Sequence, residues 1–388
     1  MTESAVVLPE SVSAGRHDHG MVQMKIAITG GASAGHVVPA LAVGDQLAAL
    51  GAELVFFGRD GSIEHEYALR AGMPFRHVPA AGLRRHRSWD SNLAMPVTVT
   101  RGILAAFKAL RGERPDVLFS KGSYVSVPVG IAAALLRIPV VIHESDRTLG
   151  LANRILARLS TTVCLSAPLP DDAAGWLRAK AQVTGLPLRS DLADGNPERL
   201  RARLQIPHRT PVLLVFCGSS GSRRINDAVR AQLDALCARF TVVHVCGRGN
   251  ADNSLISRPG YVQLEYLHDE MPDALALADL VIGRAGATTL AEAEALDLPA
   301  VLIPLPASVS RGDQIENAQA YAARRVGRCV VIPDDDRLTG GAALSKACED
   351  LVPALGDRRT SADRALVHVA AARIAQITVA AARPSRSS

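Results

Sequence analysis

Apolar residues fall into short runs separated by longer stretches of helical period. In the first half these runs are 24–29, 53–58, 117–119, 139–143 and 161–165, with FRHVPA a further strand from Phe75. In the second half they are 211–217, 241–246, 279–283, 300–304 and 328–332. Runs this short, rich in Val, Ile, Leu and Phe, predict strands buried on both faces. Between them, 36–50, 62–71, 97–111, 126–136 and Asn153–Leu159 read as helices. So do 223–238, 271–278, 288–297 and 313–325, and the chain closes on a helical stretch at about 342–379. Strand alternating with helix predicts an α/β fold with parallel sheets and right-handed crossovers.

The pattern breaks once, from Thr184 to about Gly195, where Gly185, Pro187 and Gly195 stand among charged residues. This is a hinge between two units of ordinary domain size. The expected division is a disordered leader at 1–23, a first Rossmann-like domain at 24–187, a second at 188–355, and a closing helix at 356–388. That helix is expected to pack back on the first domain, with a frayed tail.

Composition narrows the classes. The 388 residues are 48% hydrophobic with a formal charge of +5, a mild bias suited to anionic ligands. No zinc-finger spacing, ribonucleoprotein motif or lysine tract argues for nucleic acid. The six cysteines, Cys164, Cys217, Cys237, Cys246, Cys329 and Cys348, form no C-x-x-C pair, which points to buried thiols in a reducing compartment. The leader lacks the apolar core of a signal peptide. The apolar stretch 129–142 is too short to span a bilayer and is broken by Arg137 and Pro139.

The chemistry gathers where strands end. KIAITG runs into Gly30-Gly31-Ala32-Ser33-Ala34-Gly35-His36, and PVLLVFC runs into Gly218-Ser219-Ser220-Gly221-Ser222. Small residues between a strand and a helix make an anion site from backbone N–H groups. Neither loop is G-x-G-x-x-G, and neither ends in G-K-[ST], so dinucleotide and P-loop chemistry lose ground. His36 opens a helix, where a neutral imidazole is placed to accept a hydroxyl proton or simply to cap the turn. Arg223 and Arg224 in a first turn oppose the helix dipole unless an anion binds there.

Arg284-Ala285-Gly286-Ala287-Thr288-Thr289 and Glu292 follow a third strand. Glu292 suits a ribose diol, or a capping box with Thr289. Asp313, Gln314 and Asn317 share a helical face suited to sugar hydroxyls. His143, Glu144 and Asp146 follow one first-half strand, and Lys121 and Tyr124 follow another. Ends of parallel strands are where active groups collect. No D-x-D metal motif follows a strand; Asp334-Asp335-Asp336 has the spacing but reads as a surface turn. The basic loop Leu83–Trp89, with Leu93 and Met95 beyond it, suits an anionic membrane surface and equally a soluble anionic acceptor.

Taken in order, GG-x-x-x-GH, H-E-x-x, G-S-x-G-x-x-x-x-N, RAGA-x-T-x-x-E and D-Q-x-x-N resemble the bacterial glycosyltransferases of the MurG type, over roughly residues 24–360. The resemblance implies the GT-B fold, two Rossmann-like parallel-sheet domains facing across a cleft. It also implies inverting, metal-independent transfer of N-acetylglucosamine, or a related hexosamine, from UDP-N-acetylglucosamine or a similar UDP-hexosamine to the lipid-linked acceptor of peptidoglycan synthesis, with no cofactor. The enzyme would work on the cytoplasmic side, at most peripherally on the inner face of the membrane.

Carried over residue by residue, Arg189, Ser219, Ser220, Gly221, Ala287, Thr288, Glu292, Asp313, Gln314 and Asn317 would bind the donor. Gly31, Ser33, Gly35, Tyr124 and His143 would bind the acceptor, and His36, Glu144 and Asp146 would serve the chemistry. Departures gather on the acceptor side. Ala32-Ser33-Ala34 stands where the family usually has a glycine-containing sequence, Ser123 replaces the second of two glycines, and Asp146 replaces Asn. A transferase with a specialised antibiotic or glycolipid acceptor is therefore an alternative. A UDP-sugar 2-epimerase and a non-catalytic nucleotide-sugar-binding protein are alternatives of another class.

Overall fold

The computed structural model describes residues 24–82, 95–218, 220–310, 312–356 and 363–382. The expected leader, the basic loop from Leu83, Ser219 and the tail beyond 382 lie outside these residues. The first sheet has seven strands: β1 (Lys25–Thr29), β2 (Glu53–Gly58), β3 (Phe75–His77), β4 (Val117–Ser120), β5 (Val140–Glu144), β6 (Thr162–Leu165) and β7 (Ala181–Val183). The second has six: β8 (Val212–Phe216), β9 (Thr241–Val245), β10 (Tyr261–Leu264), β11 (Leu280–Gly283), β12 (Ala300–Leu302) and β13 (Cys329–Val331).

Among the described residues every pairing is parallel. The orders are β3-β2-β1-β4-β5-β6-β7 and β10-β9-β8-β11-β12-β13. Each sheet therefore reverses direction once, beside β1/β4 and beside β8/β11. A ligand crevice opens at such a reversal, outside the carboxyl ends of the strands. The two glycine loops and the segments from Lys121 and Arg284 leave the sheets at these points. This is the GT-B arrangement.

Helices cover both faces of each sheet. In the first domain they are α1 (Ala34–Ala49), α2 (Ile63–Arg70), α3 (Met95–Glu113), α4 (Ser126–Leu135), α5 (Leu151–Leu159) and the short α6 (Gly175–Arg178). In the second they are α7 (Pro197–Leu204), α8 (Arg223–Ala231), α9 (Leu233–Cys237), α10 (Met271–Leu277), α11 (Ala287–Ala295), α12 (Asp313–Arg324) and α13 (Ala342–Asp350). The last helix, α14 (Arg364–Ala381), returns to the first domain. There Ala371, Ile374 and Ala375 are buried with Ile26, Ile28 and Leu47.

The single helix expected at 223–238 is two, divided at Gln232, whose φ of −114° is not helical. The closing helix is also interrupted. A 3₁₀ turn at Val352–Ala354 carries Pro353, which has no N–H to continue the ladder. The edge strands β7 and β10 give no run in the sequence because they are short and partly exposed.

Candidate active site

The first glycine loop is shaped by two neighbours. A Cβ at Gly30 would lie 2.9 Å from the Lys121 Cβ, and one at Gly31 would lie 2.7 Å from the Glu64 carboxyl carbon. Glu64, from α2, is fully buried; its carboxylate accepts the Ala32 N–H at 3.1 Å and Arg59 Nε–H at 3.1 Å. Ala32 adopts a φ of +69°, a conformation that favours glycine. Ser33 then caps α1, its carbonyl accepting the N–H groups of His36 and Val37. The Ser33 hydroxyl shares a hydrogen bond with His36 Nδ1 at 3.0 Å. Burial, aided by the Lys121 charge, holds the His36 imidazole down at about 3, so it is neutral at physiological pH.

Lys121 and Tyr124 follow β4. Ser123 between them has a φ of +74°. The Tyr124 ring lies under the Arg59 guanidinium at 5.2 Å. After β5 the expected residues divide. His143 is fully buried and donates from Nε2 to the Gly185 carbonyl at 2.9 Å, tying β5 to the hinge instead of facing the cleft. Glu144 spends its carboxylate on its own loop and on α5. One oxygen accepts the N–H groups of Ser145 (2.9 Å) and Asp146 (3.1 Å), and the other accepts Gly150 N–H (2.8 Å) and Asn153 Nδ2 (2.9 Å). Asp146 is half-buried. Desolvation, then the charges of Glu144 and Asp313, push its carboxyl up to about 6.

In the second domain the loop after β8 turns on glycines that are required. Gly218 has a φ of +77° and Gly221 one of +66°, and a Cβ at Gly221 would overlap the Cys246 carbonyl. Asn226 Nδ2 donates to that carbonyl at 2.8 Å, His244 Nε2 donates to Asn226 Oδ1 at 3.0 Å, and the Tyr261 hydroxyl donates to His244 Nδ1 at 2.9 Å. This buried chain is uncharged: desolvation, with the Arg230 charge, lowers His244 to about 3.

Arg284 holds the Ser222 hydroxyl at 2.8 Å and pairs with Asp334 at 2.7 Å. Arg224 also pairs with Asp334, at 2.7 Å. The surface turn expected at Asp334-Asp335-Asp336 holds for Asp335 and Asp336, which are exposed, while the Asp334 side chain is 4% exposed where it bridges two guanidinium groups. Glu292 is not in a capping box, since Gly286 is the N-cap of α11. It is buried, and desolvation pushes its carboxyl up to about 7 against the opposing charge of Arg189. Arg189 itself makes two bonds to Asp191, at 2.6 and 2.9 Å, and one to the His268 carbonyl at 3.2 Å.

The two halves meet. A Cβ on Gly35 would sit 3.8 Å from the Thr288 hydroxyl, so the N-termini of α1 and α11 face each other. Thr148 donates to Asp313 at 2.9 Å and Asn317 donates to Asp146 at 3.3 Å, while Gln314 accepts the Leu305 N–H at 3.0 Å within its own domain. The face of Asp313, Gln314 and Asn317 thus splits between bridging the domains and bracing a loop. Along α2, Glu66 pairs with Arg248 (3.0 Å), Tyr67 meets Tyr266 (3.0 Å) and Arg70 pairs with Asp269 (3.1 Å). A cavity of about 620 Å³, lined by Ser62, His65, Glu66, Ser220 and Arg248 among others, opens beside this row. Among the described residues no group of three or more His, Cys, Asp or Glu side chains is placed to hold a metal.

Sequence reasoning missed Glu64, Asp334 and the His244–Tyr261 relay. Glu64 in a first turn after Ser62 reads as ordinary helix-start polarity, and only its total burial shows otherwise.

Residues 26–165 match the glycosyltransferase family 28 N-terminal domain and residues 212–374 match the family 28 C-terminal domain. A Geobacillus kaustophilus protein is 43% identical over 81% of this chain and 87% of its own length. It is a UDP-N-acetylglucosamine--N-acetylmuramyl-(pentapeptide) pyrophosphoryl-undecaprenol N-acetylglucosamine transferase. A Clostridium perfringens protein of the same name is 41% identical over 85% of this chain and 91% of its own. Among solved structures, Acinetobacter baumannii MurG is similar with a TM-score of 0.61 at 22% identity, over 92% of this chain and 99% of that one. A kitacinnamycin glycotransferase superposes with a TM-score of 0.69 at 16% identity, over 93% and 100%. At these identities the two structures speak for the fold.

Proposed function

Since the chain belongs to glycosyltransferase family 28, we propose that it moves N-acetylglucosamine from its uridine diphosphate donor to the N-acetylmuramyl-pentapeptide pyrophosphoryl-undecaprenol acceptor. The observation that carries this reading is the 43% and 41% identity, spanning both domains, to transferases of that name.

In this reading the second domain holds the donor. Glu292 takes the ribose diol, and Ala287 and Thr288 lie at the N-terminus of α11, which favours the diphosphate. Ser220 and Gly221 belong to the loop beside it, with Arg189 as the nearby cation, and Ser219, the third donor residue of that loop, lies outside the described residues. Asp313, Gln314 and Asn317 exchange their present partners for sugar hydroxyls. Gly31, Ser33, Gly35 and Tyr124 receive the acceptor, whose pyrophosphate meets the N-terminus of α1.

The acceptor hydroxyl attacks the anomeric carbon, the bond to the diphosphate oxygen breaks, and UDP departs with the electron pair. Attack opposite the leaving group inverts the configuration. Two helix N-termini aimed at the developing charge supply the electrostatic stabilisation. The hydroxyl proton passes to Asp146, whose carboxyl near 6 is better matched to the task than an imidazole near 3. His36 is then a neutral hydrogen-bonding group that orients the acceptor. Glu144 and His143 position the loop and the hinge.

Peripheral attachment to the inner membrane face has its own support. No helix among the described residues is long and apolar enough to cross a membrane. Leu151, Ile155 and Leu159 are nevertheless exposed along one face of α5. Arg158 on the same helix stacks on Trp176 at 4.3 Å. Apolar groups among arginines suit an anionic lipid surface.

A donor-by-acceptor assay with mass detection tests the reading. UDP release and a disaccharide product are expected only with the lipid-linked acceptor. Conversion of donor alone would mean an epimerase, and transfer only to soluble aminocyclitols or nucleosides would sink the cell-wall assignment.

A further inference from the structure

Lys121 is 1% exposed, an unusual place for an ammonium group. Its backbone N–H donates to the Thr29 carbonyl at 2.8 Å, which sets it against the end of β1. Its Cβ packs under Gly30 closely enough that a side chain there would collide. Its Nζ donates to the hydroxyl of Ser145, the residue between Glu144 and Asp146. One side chain thus runs beneath the first glycine loop and ends in the loop that carries the proposed base. A buried cation is tolerated only when paired, and its opposite charges here are Glu144 and Asp146.

We propose that Lys121 is a positioning residue of the reaction centre, a buried cation that joins the first glycine loop to the β5 loop and favours the ionised form of Asp146 for proton uptake. Among the described residues, the groups that act on Asp146 include Glu144 on its own loop, Lys121 after β4, and Asp313 and Asn317 on α12. Two of these charges, Glu144 and Asp313, favour the protonated acid. Lys121 opposes them, and Asn317 helps by hydrogen bonding. The same charge adds to desolvation in disfavouring protonation of His36 and His143. Desolvation lowers Lys121 itself to about 8, so it carries its charge through the neutral range.

The inference rests on the transferase reading above, and two readouts separate the two. In protein labelled with ¹³C at the aspartate carboxyl, the Asp146 resonance is assigned with Asp146→Asn and titrated. Lys121→Met, which keeps the length of the stem, is expected to move the Asp146 midpoint up by roughly a few tenths of a pH unit. Lys121→Arg is expected to restore most of the shift. The acidic limb of kcat/KM for transfer should move with the midpoint, while the donor KM stays within about twofold. An unmoved midpoint in folded Lys121→Met overturns the inference whether or not the protein transfers sugar. A wild-type protein inactive on all acceptors overturns the transferase reading and leaves the titration to decide on Lys121. Should Lys121→Met not fold, Ser145→Ala, which releases the ammonium, is expected to give a smaller shift of the same sign; no shift there is equally decisive against it.

Discussion

The two glycine loops occupy equivalent places, each at the point where its sheet reverses, yet they are held by opposite means. The second loop rests on a neutral relay, Asn226, His244 and Tyr261, and among its described residues the left-handed positions are glycines. The first rests on charges, Glu64 with Arg59 on one side and Lys121 on the other, and Ala32 within it is left-handed without being glycine. Ser123, after the neighbouring strand, is left-handed too. A loop braced by neutral hydrogen bonds in a fixed backbone suits a constant ligand such as a nucleoside diphosphate. A loop braced by buried charge suits proton transfer, because those charges set which groups titrate. Both departures at glycine-rich positions of the MurG pattern, Ala32 and Ser123, carry a left-handed backbone on the acceptor side.

The largest test of this contrast is Asp146→Asn. Transfer should fall by about 10²- to 10⁴-fold with donor affinity retained, as read by steady-state kinetics beside calorimetry. In the unaltered protein, kcat/KM should decline below about pH 6 as Asp146 gains its proton. Its raised value means that protonation is the favoured change on acidification, so a limb near pH 4 would speak against it.

Glu292→Ala should weaken donor binding by roughly tenfold to a hundredfold without moving that limb, since removing a hydrogen bond to a charged group costs about 1.5–3 kcal/mol. Asn226→Ala should destabilise the second domain by about 1–3 kcal/mol, because the Cys246 carbonyl and His244 lose buried partners. Urea unfolding measures it, and an unchanged midpoint would remove the relay from the account of the second loop. The smallest effects belong to Ala32→Gly and Ser123→Gly. Each relieves a left-handed side chain but adds freedom to the unfolded chain, for a net gain of about 1 kcal/mol or less. A loss of stability at either position would mean that its Cβ makes contacts worth more than the strain.

Much of the site is legible in the order of residues along the chain. Glycine runs between a buried strand and a helix mark themselves, and so do polar residues at the carboxyl ends of strands. What each residue does there is less legible. Glu144 and Asp146 look alike in the chain; one is consumed by four hydrogen bonds from its own loop and α5 and the other meets the second domain. Asp334 reads as part of an acidic surface run until Arg224 and Arg284 close on it. Arg224 reads as a cation for the loop or for solvent, and only the fold shows that it pairs with Asp334.

By itself the sequence determined the two-sheet architecture, the parallel strands and the loops at which ligands gather. Those follow from the period of apolar residues and from glycine, which act over a few neighbours along the chain. Only the tertiary structure decided which charges are buried together. Lys121 against Ser145, Glu64 against Ala32 and Asn317 against Asp146 are partners 24, 32 and 171 positions apart. Burial and charge proximity set the protonation state of a group, and both are properties of the packed fold.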